Sequence, residues 1–367
     1  MRTDHHVTYG YVGESEDIRQ TSGRSEGDHG SGASWQNAWK ARPTYTMSVR
    51  NQTVLLIVTV CLLLLYVVGT VFFIATADMW MSPDVIPQEH EAKDVPRISR
   101  DDFYGKQAVI VHLTTGESVA GVEENTRIYP ASLTKVMTLI VVAEHLENEN
   151  SLQDAITVSQ AAFDDMSAAG SSGMGLAVGE KLTVEAMLYA LMLQSDGIAA
   201  TELAKYVAGS EAAFVEMMNQ KAQELGLKDT HFVNPTGLHD INHYSTCREL
   251  ATMMAYAMNQ SLCKQIMTAQ EFKASCESPS HGTFHYGIYN NLLYKYFRKY
   301  DDLQPSKAGS LTILAGKTGY TPEAGYCLVT CAQDPNGQYY VCVTTMGTES
   351  YENCIKSYQS LYGKYVG

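Results

Sequence analysis

Ala131-Ser132-Leu133-Thr134-Lys135 opens the run SLTKVMTLIVVAEHLE (132–147), which carries no glycine or proline and is long enough for about four helical turns. Leu133, Val136, Met137, Leu139, Ile140, Val141, Val142, Ala143 and Leu146 cover nearly every face, which predicts a buried central helix. Pro130 suits the position just before a helix start. Two polar residues then sit where burial is costly. Ser132 lies at the N-terminal end, where unpaired N–H groups and the positive end of the helix dipole favour developing negative charge. Lys135 is three residues on and shares that face, so its amine can reach the Ser132 hydroxyl. Apolar surroundings disfavour the charged amine, which makes it a proton acceptor near neutral pH and Ser132 an activated nucleophile. The same spacing also suits an N-cap serine followed by a snorkelling lysine, and this run alone leaves both readings open.

The rest of the chain supplies ample material for a large core, with 45% hydrophobic residues in 367. Residues 1–52 stand apart: polar and glycine-rich, without apolar periodicity, they read as a disordered tail. That tail holds as many basic as acidic residues, so the formal net charge of −14 belongs to the remainder of the chain. An acidic body argues against nucleic acid as a partner.

Residues 53–77, TVLLIVTVCLLLLYVVGTVFFIATA, form an uncharged run long enough to span a bilayer. Lys40, Arg42 and Arg50 precede it, and Asp78, Asp84, Glu89 and Glu91 come after it, before the next lysine. The expectation is a single-pass cell-membrane protein with its tail in the cytoplasm and its bulk outside. Ala75-Thr76-Ala77 looks like a signal-peptidase site, but the apolar core is too long and the leader too extended for a signal peptide, so an uncleaved anchor is expected. Proline-bearing residues 78–100 read as a linker. Seven of the eight cysteines then fall outside the membrane, an odd number that leaves at least one free or intermolecular thiol.

Residues 107–113 and 118–122 read as strand, turn, strand. Helical patterns cover 162–166, 183–193, 199–207, 211–225 and 247–258; strands return at 310–319, 325–333 and 338–346, and 352–365 reads as a closing helix. The last two strands flank the turn Asp334-Pro335-Asn336-Gly337. Strands at both ends around a helical middle predict an α+β domain over 101–367, in which N- and C-terminal strands complete one antiparallel sheet.

Two further elements carry chemistry. Lys317-Thr318-Gly319, with Tyr320-Thr321 next, lies in a predicted strand: the glycine lets another backbone approach, and the lysine and threonine suit a carboxylate. A solvated lysine on an edge strand is the plainer reading. Ser195-Asp196-Gly197 links two predicted helices and by itself is an ordinary N-cap loop. His239 and His243 have a spacing that binds metal on a helix, but Asn234-Pro235-Thr236-Gly237 before them predicts a loop, so no metal and no cofactor is expected. The 23 tyrosines and 16 methionines read as packing rather than as a cofactor site.

Ser132-x-x-Lys135, then Ser195-Asp196-Gly197, then Lys317-Thr318-Gly319 resemble, in order, the signature of penicillin-binding proteins and class A β-lactamases. With residues 129–138, 231–246 and 316–329, they make the chain from about 97 onward similar to the serine-type D-alanyl-D-alanine carboxypeptidases, the low-molecular-mass penicillin-binding proteins. The resemblance implies a β-lactamase/transpeptidase-like fold with a helical subdomain, a peptidoglycan stem peptide ending in D-Ala-D-Ala as substrate, and β-lactams as covalent inhibitors. It implies Ser132 as nucleophile, Lys135 as its base and Ser195 as proton relay. Lys317 and Thr318 would hold the terminal carboxylate beside Gly319, and the N–H groups of Ser132 and Tyr320 would form the oxyanion hole. Gly197 departs from the family pattern, which has asparagine there to orient substrate; its assignment to substrate binding is carried over on position alone. About twenty residues come after Met346, too few for the second β-rich domain that some relatives carry. A weakly active or non-catalytic wall-sensing protein is the alternative. A β-lactamase is less favoured, because the nearest counterpart of its deacylating loop, 231–234, has no glutamate.

Overall fold

The computed structural model describes residues 95–146, 148–292, 307–348 and 350–367, all within the compact unit Asp78–Gly367. The expected tail, membrane span and most of the expected linker lie outside the described residues, among which no helix is long and apolar enough to cross a membrane. In chain order the elements begin with β1 (Gln107–His112), β2 (Ser118–Val122), α1 (Lys135–Glu144), β3 (Ala155–Thr157), α2 (Gln160–Ala168), β4 (Lys181–Thr183) and α3 (Val184–Leu193). Next come α4 (Gly197–Ala208), α5 (Glu211–Glu224), α6 (Cys247–Asn259), α7 (Ser261–Thr268), β5 (Glu271–Ser278) and β6 (Gly282–Tyr289). The chain closes with β7 (Lys307–Ala308), β8 (Leu311–Thr321), β9 (Gly325–Gln333), β10 (Tyr339–Gly347) and α8 (Tyr351–Tyr365).

The main sheet runs β2-β1-β10-β9-β8-β7, antiparallel at every pairing, so the N-terminal hairpin and the C-terminal strands do complete one sheet. Alternation along its strands divides the core in two. Ala108, Ile110, Leu328, Ala332 and Cys342 face α8, where they pack on Ile355, Tyr358, Leu361 and Tyr362. Val109, Val111, Val329, Cys331, Val341 and Val343 face the helical region. At its centre is α1, buried from Lys135 to Val142 as its all-round apolar sequence predicts.

One irregularity aims the sheet at the site. Ile313 pairs with Ala332 and Ala315 with Cys331, so Leu314 is an extra residue in β8. That insertion reverses the parity of the rest of the strand. Lys317 and Gly319 register with Val329 and Cys327, on the helical face; without the bulge they would point towards α8.

The domain begins earlier than the expected boundary at 101. Ile98 is buried, its N–H donates to the Gly121 carbonyl, and Gly121 returns a bond to Pro96, so apolar burial draws the end of the expected linker into the sheet edge. The helix expected over 132–147 starts as a 3₁₀ turn, Ala131–Thr134, and its α-helical part ends at Glu144. A second sheet, β3-β4-β5-β6, includes a long hairpin that the sequence pattern did not announce. All seven described cysteines are free and buried.

Candidate active site

Ser132 and Lys135 meet where α1 begins. The chain reaches this point through Ala131 at φ 48°, a left-handed conformation that an alanine adopts only when its surroundings hold it there. Lys135 Nζ lies 3.2 Å from Ser132 Oγ and donates to the Thr236 carbonyl at 2.6 Å. Lys135 is only 1% exposed, and burial lowers its pKa to about 8, with the Asp196 carboxylate pulling the other way. Ser132 is half-buried.

The second wall is the three-residue link, Gln194-Ser195-Asp196, between α3 and α4. Ser195 sits at φ 58°, again left-handed and non-glycine, and accepts a hydrogen bond from Lys317 Nζ at 2.8 Å. Lys317 comes from β8 and also donates to the Thr318 carbonyl at 2.7 Å. Its burial and the nearby Lys135 hold its pKa well below the usual lysine range. The third wall is β8 itself. A Cβ on Gly319 would stand 3.0 Å from Ser132 N and 3.1 Å from the Pro130 carbonyl oxygen, so glycine is what lets the strand lie against the nucleophile. Tyr320, next along, is half exposed at the rim.

The expected residues Ser132, Lys135, Ser195, Lys317, Gly319 and Tyr320 thus come together from widely separated parts of the chain, and Thr318, in register with Leu328, brings its backbone carbonyl to Lys317. Gly197 does not contribute in the same way. It is the buried first residue of α4, its N–H is donated to the Ser172 carbonyl at 3.0 Å, and it has no side chain to offer a substrate.

The loop 231–246 matters more than its sequence suggested. Asn234 Oδ1 accepts from Thr236 N at 3.1 Å, Thr236 Oγ1 at 2.9 Å and Gly237 N at 2.7 Å, folding Asn234-Pro235-Thr236-Gly237 into a tight turn. The turn presents the Thr236 carbonyl to Lys135 and the Pro235 carbonyl to Thr138, 2.7 Å away. Gly237, at φ 82°, packs so closely that a Cβ would overlap the Ala131 carbonyl. His243 is buried; its Nδ1 accepts the Val233 N–H at 3.2 Å, which leaves Nε2 as the protonated nitrogen facing Thr134 Oγ1 at 2.7 Å. His239 instead stacks edge-on against Tyr129 near Glu323, so the two histidines serve different contacts. The turn tetrapeptide was the available signal, since asparagine before Pro-Thr-Gly predicts such carbonyl geometry.

A serine beside a buried amine, faced by a second serine–lysine pair and a glycine-bearing strand edge, defines a serine acyl-transfer site on a transpeptidase-like fold. The D-alanyl-D-alanine carboxypeptidase family of peptidases matches residues 94–350, and the chain belongs to that family. It is 32% identical over 252 residues to the D-alanyl-D-alanine carboxypeptidase DacF of Bacillus subtilis (strain 168), covering 68% of this chain and 59% of that protein's length. A D-alanyl-D-alanine carboxypeptidase of Streptomyces sp. (strain K15) is 33% identical over 224 residues, 59% of this chain and 72% of that protein. Among solved structures, the Streptomyces K15 DD-transpeptidase superposes with a TM-score of 0.63 at 25% identity, covering 74% of this chain and all of that one. Penicillin binding protein 5 from Haemophilus influenzae gives 0.60 at 26% identity, with 73% of each chain covered.

Proposed function

We propose that this chain is a membrane-anchored serine D-Ala-D-Ala carboxypeptidase that removes the terminal D-alanine from peptidoglycan stem peptides and is acylated by β-lactams. The observation that carries the reading is Lys135, buried without a bonded carboxylate among the described residues and 3.2 Å from Ser132. In its neutral form the amine takes the Ser132 proton as Oγ attacks the carbonyl carbon between the two D-alanines. The carbonyl electrons move to an oxygen held by the N–H groups of Ser132 and Tyr320. Collapse breaks the C–N bond, and the departing D-alanine nitrogen takes the proton through Ser195. Water then adds to the acyl-enzyme, giving one proton to Lys135, and the C–Oγ bond breaks as that proton returns to Ser132. Lys317 and Thr318 bind the terminal carboxylate. The anchor is 53–77, with residues before it in the cytoplasm and the site facing the wall; the charge asymmetry around the run supports this.

The test is to incubate the chain with penicillin and, separately, with a peptide ending in D-Ala-D-Ala, following intact mass and released D-alanine. A persistent adduct on the Ser132 peptide together with D-alanine release is expected. Rapid loss of the adduct with hydrolysed drug would mark a β-lactamase, an adduct without D-alanine release a sensor, and no adduct would remove Ser132 as nucleophile.

A further inference from the structure

The start of α4 is strapped by residues 171–174. Asp196 caps the helix, Oδ1 accepting the Ala199 N–H at 2.9 Å, while Oδ2 accepts the Met174 N–H at 2.8 Å. The Gly197 N–H reaches the Ser172 carbonyl at 3.0 Å. The strap passes so close that a Cβ on Gly173 would stand 2.7 Å from Asp196 Oδ2. A Cβ on Gly197 would land on Ser171 Oγ, with Met166 Sδ 2.8 Å away. The Ser171 hydroxyl therefore fills the place where a side chain at 197 would begin.

That hydroxyl is available. Ser171 is only half-buried, and the hydrogen bond its hydroxyl donates, to the Ser172 carbonyl, is long at 3.4 Å. It lies against the start of α4, directly after the link that carries the reacting groups: Ser171 Oγ meets the Cβ position of Gly197, Ser195 two residues earlier holds Lys317, and the charge of Asp196 between them acts on Lys135.

We propose that Ser171 contacts the substrate in the Ser132 site, its hydroxyl hydrogen-bonding the acyl part of the stem peptide in the slot that Gly197 leaves open. The assignment depends on the acyl-enzyme chemistry proposed above. It makes Gly197 and Ser171 one unit, in which the glycine clears the space and the neighbouring loop supplies the polar group.

The test uses the full-length chain in detergent and compares wild type with Ser171→Ala, Ser171→Gly, Gly197→Asn and the double variant Ser171→Gly/Gly197→Asn. The rate of penicillin acylation, kcat and KM for D-alanine release, and Tm are measured for each. Ser171→Ala should keep its Tm and lose about tenfold in kcat/KM, the worth of one hydrogen bond. Gly197→Asn alone should lose more, because the asparagine collides with Ser171. The double variant should recover to within about threefold of wild type, its amide occupying the vacated slot. Ser171→Ala within about twofold of wild type in both assays, a loss that merely tracks Tm, or a double variant no better than Ser171→Gly would each overturn the assignment. An active wild type with unchanged Ser171→Ala sinks this inference alone; a wild type that neither binds penicillin nor releases D-alanine sinks the functional reading and this inference with it.

Discussion

Lys317 Nζ donates to Ser195 Oγ across 2.8 Å, a buried contact that joins β8 to the link between α3 and α4 and closes the site opposite Ser132. Lys317 and Lys135 are both buried, and among the described residues neither bonds a carboxylate. An amine kept out of water without an ionic partner is a cost to the fold that the site imposes.

Lys317→Met should expose that cost. The methionine matches the lysine stem in volume and removes a group whose charging the burial opposes, so Tm should hold or rise. Under the proposed function, acylation by penicillin should fall by about 10²-fold or more, because the carboxylate of the ligand would lose the amine that donates to it and Ser195 its partner. Thermal melting and intact-mass kinetics on one preparation check both halves. A melting point that fell with activity would mean that Lys317 stabilises the fold.

Much of this arrangement was legible in the sequence because it lies in local pattern. The buried α1, the serine and lysine on one face, and the glycine of the Lys317 strand all come from spacing and side-chain chemistry. What was not legible depends on register and on side chains acting across the chain. Nothing local distinguishes Leu314 as the extra residue that turns Lys317 towards Ser132, since an alternating run reads equally well on either parity. The role of His243 depends on Thr134, far away in sequence; the Asn234 turn is built locally, and only the carbonyls it presents meet distant partners, Lys135 and Thr138. The boundary near 101 failed because Ile98, one apolar residue among prolines and charges, finds a buried site that only the folded sheet edge provides.

Gly237→Ala should be among the most damaging single-methyl changes. The residue needs φ 82°, and the new Cβ would overlap the Ala131 carbonyl at the turn that shapes the nucleophile. A loss of a few kcal/mol, about 2–4, is expected in denaturant unfolding, with acylation at Ser132 slowed even at temperatures where the variant stays folded.

His243 should make the protein acid-sensitive. Burial depresses its pKa from the usual 6.5 to about 4, against the opposing charge of Asp240 and with His231, His239 and Lys135 adding to the depression. Between those two values the unfolded chain binds more protons than the folded one, so stability falls as pH drops from about 6.5 towards 4. The full loss is on the order of 3 kcal/mol. Melting curves across that range should slope downward in wild type and flatten in His243→Gln, which keeps a polar group towards Thr134 but does not titrate.

The thiols should be inert until the fold opens. Burial pushes Cys327 and Cys331 to about 12, and the other described cysteines are raised by the same cause. A thiolate-seeking alkylating reagent should leave all seven unmodified in the native protein and label all seven after denaturation without reductant. Fewer labels in the denatured chain would reveal a disulfide.

The sharpest solution test is the pH dependence of acylation. With a pKa of about 8, about a tenth of Lys135 is neutral at pH 7 and about nine-tenths at pH 9. The acylation rate constant with penicillin should therefore climb through that interval and level off above it. Asp196 raises the Lys135 pKa, so Asp196→Asn should move the midpoint of the climb to lower pH. That variant also places an amide N–H₂ against the Met174 N–H, which costs stability but does not by itself move a titration midpoint. Linkage supplies an independent reading of the same group. Because the ordinary lysine pKa of 10.5 exceeds that of Lys135, the unfolded chain holds the extra proton between about 8 and 10.5, and this residue's contribution to stability should rise with pH across that window. A rate already at its plateau at pH 7 would mean that Lys135 is neutral well below pH 8; a rate that fell with rising pH would mean that Lys135 acts as an acid rather than as the base that activates Ser132.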